Sequence, residues 1–228
     1  MLSQIWYIRL FLLVQLKQFS TVEVEVEAFG DLDKPDLYHE YYSRIEPNTQ
    51  EESFTNKVGS MVPFGFRLLI AEIPQYLGKH HEAIDRLHQL LAIIDKMLKN
   101  LKNNKLENGQ LPGPNESTDV AASIQLWNKR KQKVLFTITN CAILQKDFEL
   151  SIMTLDILYE ITDAIAEKTR LKSAIGRVFL QLGDVTMATT CFQLAKELRK
   201  KQVQSKTEIN YNDMQVDELI GKLQISTN

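Results

Sequence analysis

Three closely spaced histidines come nearest, in type and spacing, to residues that could form a site for chemistry. In the segment HHEAIDRLH, which begins at His80, the residues His81, Asp85 and His88 would share one face of a helix, as metal ligands can. A zinc site also needs a further ligand or a bound water, and hydrogen-bonded groups behind its ligands. Neither cysteine lies near in sequence. We therefore interpret this face as solvated helix surface and predict no metal site.

A short basic cluster is a second candidate, in this case for binding an anion. Its residues could contact phosphates or an acidic partner, but a helical pattern of this kind more often marks a solvated face. The chain has 27 Lys and Arg residues against 29 Asp and Glu, a formal charge of −2. Charge therefore gives no reason to expect nucleic acid or an anionic membrane as partner. The cluster consists of Lys129, Arg130, Lys131 and Lys133.

Motifs for nucleotide binding or hydrolysis do not occur in the sequence. No GxxxxGK[ST], GxGxxG or GxSxG string is found. We predict no catalytic residue, no cofactor and no small-molecule substrate, and hence a protein that is not an enzyme.

Cys141 and Cys191 lack CxxC spacing and are expected to be reduced, buried thiols. The apolar start, Ile5 to Leu16, is too short to span a bilayer and is predicted to be a buried helix.

The elements that would position these residues follow a repeat. A unit of two antiparallel helices, typical of tetratricopeptide repeats, accounts for the residues near the end of the chain. Gly176 is expected to face Ala188 across the pair, Phe179 and Phe192 to fill the gap, and Gly183 to form the turn. Such a pair cannot bury its apolar face alone, so it stacks on neighbours and presents a surface. The pattern therefore predicts a binding scaffold.

Four turns divide the chain into candidate helix pairs. We take the second residue of each turn as an anchor for comparing the copies. Small or apolar residues follow each anchor at 5, 9 and 12 positions, which places them on one face of the second helix. The anchors are Lys17, Gly78, Lys146 and Gly183.

Two segments are ambiguous in this scheme. Thr21 to Glu27 reads TVEVEVE, which alternates as a strand does, but the repeat favours a helix there. Pro74 falls inside a predicted helix, where proline removes a hydrogen bond and crowds the preceding turn. We expect a kink at Pro74 or a late start of that helix.

The predicted fold is all-α, with tetratricopeptide-like antiparallel helix-pair repeats that form a short solenoid over residues 1–198. Insertions are expected at about 30–62 and 100–118, and a divergent polar tail at 199–228. The second insertion is rich in Asn, Gly, Pro and Ser and predicts a disordered loop. A short helix is predicted within the tail, at 214–223.

Several long segments resemble the subunit 12 family of the trafficking protein particle (TRAPP) complex. They include DLYHEYY, GSMVPFGFRLLIAEIPQYLGKHHEAIDRLHQLL and IGRVFLQLGDVTMATTCFQLAKEL, and the resemblance runs from about Ile5 to Leu198. It implies a partial or variant chain of a non-catalytic tetratricopeptide subunit in a tether for endoplasmic reticulum-to-Golgi traffic. It further implies that the partners are other TRAPP subunits. The implied location is cytoplasmic, on Golgi or intermediate membranes through the complex and without membrane insertion.

One segment of the first insertion is a candidate contact surface. Leu37, Tyr38, Tyr41 and Tyr42 are too apolar for a solvated loop. They either pack across the edge of the repeats or bind a partner subunit, since a few aromatic residues often carry most of the energy of an interface.

A different class of function is a co-chaperone-like adaptor whose groove clamps a peptide carboxylate. Such a clamp needs several fixed donors, and only Asn140 and Arg177 suit that task at the relevant repeat positions. The clamp is therefore disfavoured.

The apolar helix at the start of the chain leads to a separate expectation, that the isolated chain self-associates or aggregates unless a partner or a missing flanking segment covers this helix.

Overall fold

The computed structural model describes residues 2–30, 32, 34, 37, 38, 60–107, 109–111 and 119–204. In these ranges, every regular element longer than an isolated bridge is a helix, so the all-α prediction is confirmed. Within the same ranges, no helix is both long enough and apolar enough to cross a membrane. The helices are α1 Leu2–Gln15, α2 Phe19–Glu27, α3 Phe64–Tyr76, α4 His80–Lys102, α5 Val120–Leu144, α6 Phe148–Ile161, α7 Ile165–Leu182 and α8, residues 185–204.

The four predicted turns have the same backbone geometry. In each, the anchor N–H donates to the carbonyl three residues earlier, and the next N–H donates to the carbonyl five residues earlier. These paired bonds cap the end of a helix and require a left-handed residue at the anchor. Two of the anchors are lysines, which adopt that conformation at a steric cost that glycine avoids. The anchor φ angles are 57° at Lys17, 77° at Gly78, 61° at Lys146 and 81° at Gly183.

The predicted register of the second helices is confirmed at the fifth residue after each anchor, whereas Phe192, nine residues after Gly183, is 37% exposed. The side chain five residues after each anchor is at most 1% exposed. Its N–H donates to the carbonyl of the residue that follows the anchor, so each second helix begins in the same way. The segment TVEVEVE lies within α2, as the repeat predicted and its alternation did not. The four buried residues are Val22, Ala83, Ser151 and Ala188.

Contacts between the helices divide the described residues into two compact units, with the boundary between Cys141 and Ala142. In the first unit α3 packs on α1, α2 and α4. Aromatic rings reinforce this core, with Phe29 edge-on to Phe66 at 5.1 Å between ring centres. In the second unit α6 packs on α7. The buried core residues of the first cluster are Leu10, Val14, Val22, Val62, Phe66, Leu69, Ile70 and Ile73.

Two expectations about local structure are corrected. Helix α3 begins at Phe64, ten residues before Pro74, so the late start is wrong. The disordered loop is wrong for the first part of the second insertion, because α4 continues to Lys102. There the Asn100 side chain donates to the Glu107 carbonyl at 3.0 Å. Residues 112–118 and the tail from 205, with the helix predicted at 214–223, lie outside the described residues.

Candidate partner-binding surface

The first half of the predicted contact segment, Leu37 and Tyr38, lies within the first unit. Leu37 and Tyr38 are both half-buried, and Leu37 packs on the first core cluster. The Met61 N–H donates to the Leu37 carbonyl at 2.9 Å, and Tyr38 forms an isolated antiparallel bridge with Ser60. These contacts favour the packing interpretation for Leu37. Tyr41 and Tyr42 lie outside the described residues.

Arg67 on α3 holds this segment in place. Its Nη2 donates to the Leu32 carbonyl at 2.7 Å and to the Ser60 hydroxyl at 2.9 Å. Its guanidinium carbon lies 5.8 Å from the centre of the Tyr38 ring, within the range of a cation–π contact. Arg67 therefore brings Leu32 and Tyr38 together with Ser60. Sequence reasoning missed this role, although a lone charge within the apolar run FGFRLLIA was a signal for it.

The chemistry of this surface suits protein contact. It combines an aromatic ring, a serine hydroxyl and a guanidinium with several donors in a fixed plane. The ring of Tyr38 is half-buried and is positioned by Arg67 and by the bridge to Ser60. A positioned tyrosine offers a large contact area at a low entropic cost, which is why tyrosines are common in interfaces.

The basic cluster on α5 does not form a single anion-binding face. The Arg130 guanidinium carbon lies 4.3 Å from the centre of a Trp127 ring and 5.3 Å from that of Phe64. Burial lowers the pKa of Arg130, and the nearby charge of Glu107 opposes this effect. Lys131 forms an ion pair with Asp95 at 2.7 Å. Of the four side chains, only Lys129 and Lys133 are exposed.

The histidine cluster lies at the start of α4. The His80 Nδ1 and the Gln75 Oε1 are 2.9 Å apart and share a hydrogen bond. His81, Asp85 and His88 are exposed, as expected of a solvated face. Among the described residues, no three His, Cys, Asp or Glu side chains meet in a group that could hold a metal ion.

Both cysteines are buried and unpaired with each other. Burial raises the pKa of the Cys141 thiol to about 11, and the charge of Glu72 adds to this effect. Burial also raises the pKa of Cys191. The thiolate is the reactive form of cysteine, so both side chains are protonated and unreactive at neutral pH. Their burial agrees with the sequence prediction.

A groove between α2, α3 and α4 is the described cavity closest in character to a peptide clamp. Its basic residues are held in ion pairs, Lys79 with Glu23 at 2.8 Å and Arg86 with Glu82 at 2.5 Å. Glu27 adds a further negative charge to the lining. A peptide carboxylate would meet more acidic than basic groups here, so the groove does not support the clamp.

The chain is similar in sequence to two known proteins. The chain is 40% identical over 198 residues to trafficking protein particle complex subunit 12 of Mus musculus, which covers 87% of the chain and 24% of that protein. For the subunit of the same name from Homo sapiens the identity is 38% over 199 residues, covering 87% of the chain and 25% of the relative. The chain resembles TRAPP complex subunit 12. The resemblance seen in the sequence segments is thereby confirmed.

The similarity to subunit 12 extends into both compact units, since it covers 87% of the chain. The chain spans about a quarter of the length of these curated relatives. No family model matches the chain, and no solved structure matches it.

Proposed function

We propose that the chain is a non-enzymatic scaffold subunit of a vesicle-tethering complex that serves endoplasmic reticulum-to-Golgi transport. The observation that carries this proposal is the 40% identity over 198 residues to TRAPP complex subunit 12. The helical architecture supports it. Four turns of the same hydrogen-bonded geometry join successive helices, and each second helix has a buried residue at the same position. We interpret these helices as tetratricopeptide-like pairs, an arrangement that acts through protein contacts.

The proposed partners are other subunits of the TRAPP complex. The proposed location is the cytoplasmic side of Golgi or endoplasmic reticulum–Golgi intermediate membranes, reached through the complex. Both proposals derive from the names of the relatives and from the resemblance of the sequence segments. The co-chaperone-like adaptor has less support, because Lys79 and Arg86 in the groove are already paired with glutamates.

The proposed contact residues are Leu37, Tyr38, Tyr41 and Tyr42. Tyr38 is half-buried and positioned by Arg67, so part of its ring is available to a partner without a large loss of freedom on binding. Leu37 contributes by fixing the segment to the core. In this arrangement Arg67 is a positioning residue, and the tyrosines make the contacts.

Co-purification tests the proposal. The tagged chain is expressed in cells of its source organism, recovered, and analysed by mass spectrometry. We expect TRAPP subunits to be recovered with it. The double change Tyr38→Ala and Tyr41→Ala should lower that recovery and leave helicity intact, while Leu111→Ala, which removes an exposed leucine elsewhere, should leave recovery unchanged.

Two results would contradict parts of the proposal. If the double variant loses helicity by circular dichroism, the tyrosines are packing residues and the contact surface lies elsewhere. If the unchanged chain recovers no TRAPP subunit, the chain does not act as a scaffold of this complex.

A further inference from the structure

The guanidinium of Arg130 on α5 lies against two aromatic rings. Its central carbon is 4.3 Å from the centre of a Trp127 ring and 5.3 Å from the centre of the Phe64 ring. Trp127 is itself fixed, since it is 8% exposed and its Nε1 donates to the Glu107 Oε1 at 2.7 Å. No residue that the structure describes accepts a hydrogen bond from Arg130. A guanidinium carries five N–H donors in one plane, so Arg130 presents these donors from a fixed position.

The charge around Arg130 is positive and is not compensated within the described part of the chain. The charge of Glu107 is close enough to act on Arg130, but the two form no ion pair. The Oε1 of Glu107 already accepts from the Trp127 indole. Lys129 and Lys133 are exposed, and neither forms an ion pair with a described carboxylate. This turn of α5 is therefore complementary in charge to an anion.

Arg130 adjoins the proposed contact surface through α3. Phe64, whose ring it contacts, stands three residues before Arg67, so Phe64 and Arg67 are neighbours on the surface of that helix. The Arg67 guanidinium in turn lies 5.8 Å from the centre of the Tyr38 ring. All four of these side chains are half-buried. Aromatic and cationic groups therefore alternate across this part of the first unit.

We propose that Arg130 binds a carboxylate in an acidic segment of a partner subunit. This inference rests on the proposed function, which supplies a protein partner at the adjoining Tyr38 surface. Arginine and carboxylate form two parallel charge-assisted hydrogen bonds. A planar guanidinium that is already stacked loses little freedom when it forms them. Since folding has half-buried the Arg130 side chain, a partner has less water left to remove from it.

The same observations favour a protein partner over a membrane or a nucleic acid. Those polyanions are bound by broad basic surfaces, whereas the whole chain has a formal charge of −2. Around Arg130 the cationic groups are interspersed with the rings of Trp127 and Phe64. Arginine and aromatic residues together are typical of the few positions that carry most of the energy of a protein interface.

Binding kinetics test the proposal. TRAPP complexes that lack their own subunit 12 are immobilised, and surface plasmon resonance follows the binding and release of the purified chain. The test variant is Arg130→Gln, which removes the charge and keeps a side chain that can pack on Trp127. The matched control is Arg170→Gln, which makes the same change of charge at an arginine of α7 whose side chain is 79% exposed.

We expect Arg130→Gln to weaken binding by on the order of 30-fold, mainly through faster dissociation, because the partner's carboxylate is left buried without its counter-charge. Arg170→Gln should bind as the unchanged chain does. If the unchanged chain binds and the two variants bind equally well, this inference is overturned and the scaffold function stands. A change confined to the association rate also overturns it, since that is the effect of a peripheral charge. If the unchanged chain does not bind, the proposed function fails, and the inference fails with it.

A second variant keeps the test decisive if Arg130→Gln lowers the thermal stability of the chain. Arg130→Lys places an amine at this point, and a carbodiimide joins an amine to a carboxylate as an amide, taking up the water that is lost to become a urea. Mass spectrometry of the coupled complex should show position 130 linked to an Asp or Glu of a TRAPP subunit. Arg170→Lys is the control and should give no such link. If position 130 is linked only to carboxylates of this chain, or to none, the proposal is overturned.

Discussion

Gly176 on α7 lies so close to Phe192 on α8 that a Cβ at position 176 would stand 2.9 Å from the phenyl Cε1. Real side chains avoid a separation that short, so the glycine is what allows the Phe192 ring to approach α7 this closely. The sequence predicted that Gly176 faces Ala188 across the last pair, with Phe192 in the gap between the helices, whereas the atoms nearest to a Cβ at position 176 all belong to the Phe192 ring.

Gly176→Ala should destabilise the chain, although alanine favours a helix over glycine by about 1 kcal/mol. The added methyl forces the Phe192 ring outward, and we expect a net loss of about 1–2 kcal/mol in the free energy of unfolding. In the Phe192→Ala background the obstacle is gone, and the same change should stabilise by up to about 1 kcal/mol. Urea unfolding of the four proteins gives both values. Equal effects in the two backgrounds would show that the ring is not the obstacle.

Ala188→Leu should be costly for a related reason. Ala188 is 1% exposed and stands at the position that is buried in all four copies. A larger side chain there forces the packed helices apart, at roughly 1–3 kcal/mol. The control is Ala122→Leu, which enlarges an exposed alanine on α5. If thermal unfolding gives the same midpoint for Ala188→Leu as for the unchanged chain, the register described for the second helices is wrong.

Arg86 compensates in part for the proline in α3. Pro74 has no N–H to offer the Ile70 carbonyl four residues earlier, and Arg86 Nη1 donates to that oxygen at 3.4 Å. The bond is long, so we expect Arg86→Met to cost only roughly 1 kcal/mol in the free energy of unfolding. In a Pro74→Ala background the backbone supplies the donor, and Arg86→Met should then cost less. A cost that is the same with and without the proline would rule out this compensation.

The Cys141 thiol should make stability depend on alkaline pH. Its pKa is raised to about 11 by burial, above the value of about 8.5 for an unfolded chain. The protonated thiol therefore contributes stability that is fully present below about pH 8.5 and is lost as the pH rises through 11. Ultraviolet absorbance of the thiolate, compared between the unchanged chain and Cys141→Ala, measures this titration. A thiol that ionises near pH 8.5 in the folded protein would contradict the burial described here.

The repeat register could be predicted from sequence, because it depends on residues close together in the chain. Lys17 and Lys146 were placed at turns by the spacing of neighbouring small and apolar residues, and both have the left-handed φ of the glycine anchors. The same repeat spacing predicted a helix for TVEVEVE, although the alternation of its residues is typical of a strand. Within α2 its valines divide between a buried Val22 and an exposed Val24.

The contacts of the arginines could not be predicted in this way. Arg67 meets Leu32 and Tyr38, and Arg130 meets Phe64, across separations that no local pattern encodes. The interpretation of the basic cluster as one solvated face is wrong for Arg130, which is half-buried and whose guanidinium lies over the ring of Trp127 on the same helix and near that of Phe64 on α3.

The most direct test of the proposed function is a binding measurement between purified components. TRAPP complexes are prepared from cells of the source organism from which the endogenous subunit 12 has been removed, and the purified chain is titrated into them by fluorescence anisotropy. The account predicts saturable binding with one chain per complex and a Kd of about 1 μM or tighter, equivalent to about 8 kcal/mol. The chain carrying Tyr38→Ala and Tyr41→Ala should bind at least about tenfold more weakly. No saturable binding by the unchanged chain, with its helical spectrum intact, would contradict the account.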